Sequence, residues 1–216
     1  MTTVDDAAGV YTATEPVPAP APTGPLAGDP AMLGLPCFIV GSVALGLVLI
    51  GMVPATAAGA SLPVILSATV IGLFIAALWS ASIGQTAVAG IFGIFAGFWL
   101  SYAVLVLGLT HNWFGITAAD AVGTQELFLT SWLIVIVMLT VATLRLPAAF
   151  TLLFVLIDVA LLLLLLSTTQ ASTGLGKLAG WVVLVFAALG AYLFVGSAAA
   201  ATGGSAVPLG KPLMKG

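Results

Sequence analysis

Charge is what this sequence has least of. Its 216 residues include four Lys and Arg, seven Asp and Glu, one His and one Cys. Charged residues make up 5% of the chain, against about 25% in a soluble domain, so a water-facing shell cannot be assembled from this composition. With a net charge of −3 and no basic cluster, there is no electrostatic footprint for nucleic acid. The lone Cys37 excludes an internal disulfide and any multi-cysteine metal site. Also missing are a GxSxG, an HExxH, a P-loop and paired aspartates inside an apolar run, and no His lies where it could serve a Ser nucleophile in a span. Neither enzymatic chemistry nor a bound cofactor or metal is expected.

What the chain has in abundance is hydrocarbon. It is 62% hydrophobic with a mean hydropathy of +1.29, which makes the lipid bilayer its solvent. Apolar runs cover 35–53, 62–80, 86–109, 126–144, 147–166 and 176–200. At roughly 20 residues per crossing these are six transmembrane helices, and the expected fold class is an all-α integral membrane bundle. Pro54 and Gly59, Gly84 and Gln85, His111 and Asn112, Arg145 to Pro147, and the Thr-rich stretch after Ser167 separate the runs. The boundary near Gly84 carries no charge, so one long kinked element across it remains open.

The flanks read differently. Residues 1–28 hold Asp5, Asp6, Glu15 and a Pro-Ala alternation with no apolar run, which predicts an extended, solvated tail and not a signal peptide. The membrane domain is expected over 29–210, with a short tail over 211–216. An even number of spans puts Arg145, Lys211 and Lys215 on one side and Lys177 on the other, so the positive-inside rule places both termini in the cytoplasm.

Within the spans, Gly93 and Gly97 form a GxxxG extended by Ser101, and Ala76, Ser80 and Gly84 make a looser ridge, both suited to close helix packing. The five Trp lie mostly near span ends and read as interfacial anchors. His111, beside Asn112 and Trp113 in a loop, reads as surface. Residues 161–166 are six consecutive Leu, a lipid-facing or oligomer-contact pattern broken upstream by Asp158. A carboxylate at bilayer depth must be paired, hydrated or protonated. Two readings stay open for it: a proton site or polar wall of a conduction path, and a protonated Asp hydrogen-bonded to a neighbouring helix.

Several motifs in order resemble one family. Asp29-Pro30-Ala31-Met32-Leu33-Gly34-Leu35 is similar to the N-P-A-P-L-G-L motif of the acetate uptake transporter family, also called the YaaH or SatP family. Gly84-Gln85-Thr86, Gly97-Phe98-Trp99, Thr143-Leu144-Arg145, Ala179-Gly180-Trp181 and Val207-Pro208-Leu209-Gly210 resemble its later motifs. The resemblance implies a six-span protomer in a homo-oligomer, a hexamer, in the plasma membrane. Each protomer would carry its own path for acetate or a related small monocarboxylate, moved with a proton or as the neutral acid. It further implies that Asp29, Pro30, Ala31, Leu33, Gly34 and Leu35 meet the substrate, and that Phe38, Phe95 and Ile157 form an apolar constriction with Asp158 beside it. Ser42, Ser101, Asn112 and Thr151 are candidate hydrogen-bond donors along such a path.

The chain departs from the pattern where Asp29 replaces Asn, Met32 a Pro, Leu73 and Ser80 a Gln and a Glu, Phe95 a Tyr, and Asp158 a hydroxyl residue. Two rival functions stand beside this one: a passive channel for small neutral solutes, for which these changes argue, and a non-transporting membrane scaffold, against which Asp158 counts.

Overall fold

The helices of the computed structural model are as long as the apolar runs predict, because in a bilayer each backbone amide must find its partner within its own helix. The structure describes residues 24, 26–57, 59–205 and 207–214. Most of the expected N-terminal tail, together with Lys215 and Gly216, lies outside the described residues. Six helices are long and apolar enough to cross a membrane. They are α1 (Ala31–Ile50), α2 (Leu62–Ser82), α3 (Thr86–Thr110), α4 (Ala121–Ala142), α5 (Ala148–Thr169) and α6 (Thr173–Ala201). The fold is all-helical, and the chain is a multi-pass membrane protein.

Several boundaries differ from the sequence expectation. Helix α1 starts at Ala31, so all but the first two residues of the Asp29 motif belong to the helix and not to a lead-in; Pro30 initiates it with helical dihedrals. Helix α4 starts at Ala121, five residues ahead of the apolar run, because Thr124 and Gln125 return their side chains to backbone carbonyls one turn back. The open question at Gly84 is resolved in favour of two helices: Gly84 takes φ +78°, a left-handed turn that no continuous helix contains. Helix α2 is also irregular, with a π-helical turn over Ile65–Val70.

In cross-section the helices follow the order α3, α2, α1, α6, α5, α4, and the ring closes weakly where α4 meets α3. That closure includes the Trp132 indole N–H, which donates to Ser101 Oγ at 3.1 Å. The tight packing lies elsewhere than the GxxxG suggests. A Cβ at Gly93 or Gly97 would make ordinary contact only. Close approaches occur between α1 and α2, where Gly41 receives Thr69 and Gly72 receives Cys37, each leaving no room for a methyl group. Helix α4 is the least covered span, 22% of its apolar window being buried against 39% in α1 and α6.

The end of the bundle that carries both chain ends is also the end of the α4–α5 turn. There residues 207–214 fold back over the bundle. The Ala149 N–H donates to Leu209 O at 2.9 Å, Met214 N–H to Leu144 O at 3.0 Å, and Tyr192 Oη to Pro208 O at 2.7 Å, tying the start of α5 to the end of α6. Residues 26–28 are likewise held, the Trp79 indole donating to Leu26 O at 2.7 Å. Leu26, within the expected tail, is thus tied to the bundle, because an interfacial indole N–H needs an acceptor.

Candidate functional site: an apolar ring between two cavities

A ring of inward-facing side chains divides the interior. Phe38 on α1 and Phe95 on α3 meet edge to face with centroids 5.1 Å apart. Phe186 on α6 lies 5.8 Å from Phe38, and Phe154 on α5 lies 5.8 Å from Phe95. Phe38, Phe95, Phe186 and Ile157 line a void of about 30 Å³, space for about two waters at most. The structure therefore brings the three expected constriction residues together, from helices far apart in the chain. It adds Phe154 and Phe186, which the sequence reading missed. Phe154 was findable, since it lies one turn before Ile157 on the same face of α5.

A cavity opens on each side of the ring. Toward the chain ends, one of about 250 Å³ is lined by Asp29, Ala31, Leu35, Leu73, Phe92 and Ser197, with Phe38 and Phe95 at its floor. Toward the opposite end, one of about 300 Å³ is bordered by Phe98, Tyr102, Gln125, Phe128, Leu164 and Thr168. The small void shares Phe38 and Phe95 with the first cavity and Leu45, Phe98, Leu161 and Leu164 with the second, so the three spaces lie in line. No Lys, Arg or His lines any of them among the described residues. Tyr102, Gln125 and Thr168 are polar wall residues that sequence reasoning passed over.

The Asp29 motif divides by face. Asp29, Ala31 and Leu35 line the cavity near the chain ends. Pro30 is fully buried, Gly34 accommodates the Phe92 ring on α3, and Leu33 packs against the core. Leu73, at the position of the family's Gln, is a wall residue of the same cavity, whereas Ser80 is buried and returns its hydroxyl to Ala76 O at 2.7 Å.

Asp158 does not face the cavities. One residue along a helix turns the side chain by about 100°, so with Ile157 inward Asp158 points to α4. There the Thr140 hydroxyl lies 2.6 Å from Oδ2 and 2.9 Å from Ile136 O, while Oδ1 is buried without a partner. Of the two readings left open for Asp158, this contact fits the hydrogen bond to a neighbouring helix. Nor do the candidate donors reach the path. Ser42 donates to Phe38 O, Ser101 to Phe98 O and Thr151 to Thr143 O, and Asn112 is exposed in a loop. Each hydroxyl is consumed by a carbonyl, the usual resolution for a polar group in a span.

The tryptophans also sort themselves. Trp113 and Trp181 are exposed, as anchors should be, and His111 stacks on Trp113 at the surface. Trp99 is a core residue, 2% exposed, packed between Phe98 and Tyr102.

Residues 12–209 match the model of the GPR1/FUN34/yaaH family. Acetate permease A of Emericella nidulans is 32% identical over 150 residues, 63% of this chain and 48% of the permease. The chain thus spans about half the length of the curated relative it matches. The structure of the bacterial acetate channel SatP superposes with a TM-score of 0.75 over 85% of this chain and 99% of that one. At 23% identity this likeness shows a shared fold.

Proposed function

The chain belongs to the GPR1/FUN34/yaaH family, and from that premise we propose that it passes acetate or a related small monocarboxylate across the plasma membrane. The observation that carries the proposal is the line of two cavities meeting at the ring of Phe38, Phe95 and Ile157. A soluble acid needs room on both sides and a narrow waist that stops water and ions, and the walls supply both. The acetate in the names of the permease and the channel guides the choice of substrate.

Substrate movement follows from the walls. An acid reaching the ring exchanges its hydration shell for aromatic faces, and for a carboxylate that exchange costs far more than for the undissociated acid. The proton therefore travels with the substrate, either on it or in step with it. Passage also calls for a ring side chain to turn aside, because the void between Phe38, Phe95 and Ile157 has room for about two waters. Asn would donate where Asp29 cannot, so the substrate preference of this chain shifts away from the bare anion.

Both termini lie in the cytoplasm, with Arg145 and Lys211 at that face. The protomers form a homo-oligomer, six copies by the resemblance, and the sparsely covered α4 is available for such a contact. A second reading, a passive channel for small neutral solutes, draws on the absence of any cation from the cavity walls among the described residues. Uptake of labelled acetate into proteoliposomes, against protein-free liposomes, tests the proposal. Saturable uptake that an inward proton gradient enhances supports it. Uptake that neither saturates nor responds to the gradient favours the passive channel, and no uptake above the lipid leak removes both in favour of a scaffold.

A further inference from the structure

Helix α1 is locked to its neighbours by close approaches at glycine. Gly34 takes up the Phe92 ring of α3, Gly41 takes up Thr69 of α2, and Gly180 of α6 takes up Leu49 and Ile50, each leaving no room for a methyl group. These contacts fix the helices that carry Phe38, Phe95 and Phe186. Helix α5 carries the other two ring residues, Phe154 and Ile157, and contains no glycine. Its far end is held by Ser167, whose Oγ would lie 3.0 Å from a Cβ on Gly176 of α6. At the chain-end side the glycine contacts of α5 and α6 run through residues 207–214.

That segment touches both helices. On α6, a Cβ at Gly196 would lie 2.5 Å from Val207 Cγ2, and Tyr192 Oη donates to Pro208 O at 2.7 Å. On α5, the Ala149 N–H is one of the first-turn amides that a helix cannot satisfy within itself, and it donates to Leu209 O at 2.9 Å. Gly210 takes φ +76°, and a Cβ there would lie 3.1 Å from that of Ala148. Met214 N–H reaches Leu144 O, and in the same α4–α5 turn Thr143 O accepts the Thr151 hydroxyl. A chain end is ordinarily loose unless tied down, and this one is tied by its main chain to two helices and a turn. Phe154 and Ile157 stand five and eight residues beyond Ala149, about 8 and 12 Å along the helix. A shift at the start of α5 therefore carries to both.

We propose that residues 207–214 are a positioning strap, which holds the start of α5 against α6 and so keeps Phe154 and Ile157 closed on the ring. Release of the strap lets α5 move outward and widens the waist. Tyr192 and Gly210 are its positioning residues.

The rate at which a small membrane-impermeant thiol reagent modifies Ile157→Cys tests it, in the full chain with Cys37→Ala, in proteoliposomes; Phe154→Cys is a second reporter on the same helix. Gly210→Ala sets a side chain at a left-handed φ and against Ala148, and should raise the rate about tenfold, the strain of one such residue. Tyr192→Phe removes one hydrogen bond and no packing, and should raise it about fivefold. Gly84→Ala carries the same backbone strain at φ +78° in the α2–α3 turn, where its Cβ meets nothing within 4 Å, and should leave the rate within about twofold. Thermal unfolding in detergent shows that each variant is folded. An unchanged rate in either strap variant, or an equal rise in Gly84→Ala, overturns the strap. The readout is chemical access to the ring, so it decides the strap whether or not the chain passes acetate.

Discussion

The two cavities are nearly equal in size, about 250 and 300 Å³, yet their walls differ in kind. The one toward the chain ends is apolar apart from a single carboxylate and one Ser. The other is bordered by Tyr102, Gln125 and Thr168, neutral polar groups, of which Gln125 and Thr168 donate to Ala121 O and Leu164 O one turn back. Spaces alike in volume thus differ in chemistry, and along the proposed path neutral polar groups gather in one half.

The ring that separates the halves should show the largest effect. Ile157→Trp fills a void of about 30 Å³ and is expected to lower acetate uptake by more than about tenfold, equivalent to a barrier of about 1.4 kcal/mol. Leu162→Trp, on the exposed face of the same helix, should leave uptake within about twofold. Thermal unfolding of both in detergent separates blockage from misfolding. Equal losses in the two variants would dissolve the distinction between ring and lipid face.

The hydrogen-bonding half comes next. Tyr102→Phe removes one hydroxyl worth about 1 kcal/mol, so the KM for acetate should rise about fivefold with little change in the maximal rate. Ser197→Ala, in the apolar half, should change KM by less than about twofold. A reversed ranking would exchange the roles of the two cavities.

The smallest effect belongs to Asp158. Asp158→Asn keeps a polar partner for Thr140, and interhelical hydrogen bonds in membranes average about 0.6 kcal/mol. Stability should change by no more than about that amount and the pH profile of uptake should be unchanged. A shifted profile would return this carboxylate to the proton route that the sequence suggested.

The fold was legible because crossing a bilayer imposes a length, and six apolar runs of that length have few arrangements. Their ends were less legible. Hydropathy does not register that Pro30 can open α1, or that Thr124 and Gln125 can satisfy themselves inside α4. The ring was reached only through the family resemblance, since nothing local links Phe38, Phe95 and Ile157. Phe186 and Tyr102 escaped because a span that is apolar on every side carries no periodicity to say which face turns inward. The same loss of phase left two readings open at Asp158, and the Thr140 contact fits the second of them, a hydrogen bond to a neighbouring helix.

The most direct test of the central claim is the reach of water from each face. In a Cys37→Ala background, Val88→Cys lies in the cavity near the chain ends and Val48→Cys in the opposite one. The account predicts that a small membrane-impermeant thiol reagent modifies each Cys from its own side only, and that either modification blocks acetate uptake. Modification of both from one side, or uptake that survives modification, would contradict two cavities meeting at a closed ring.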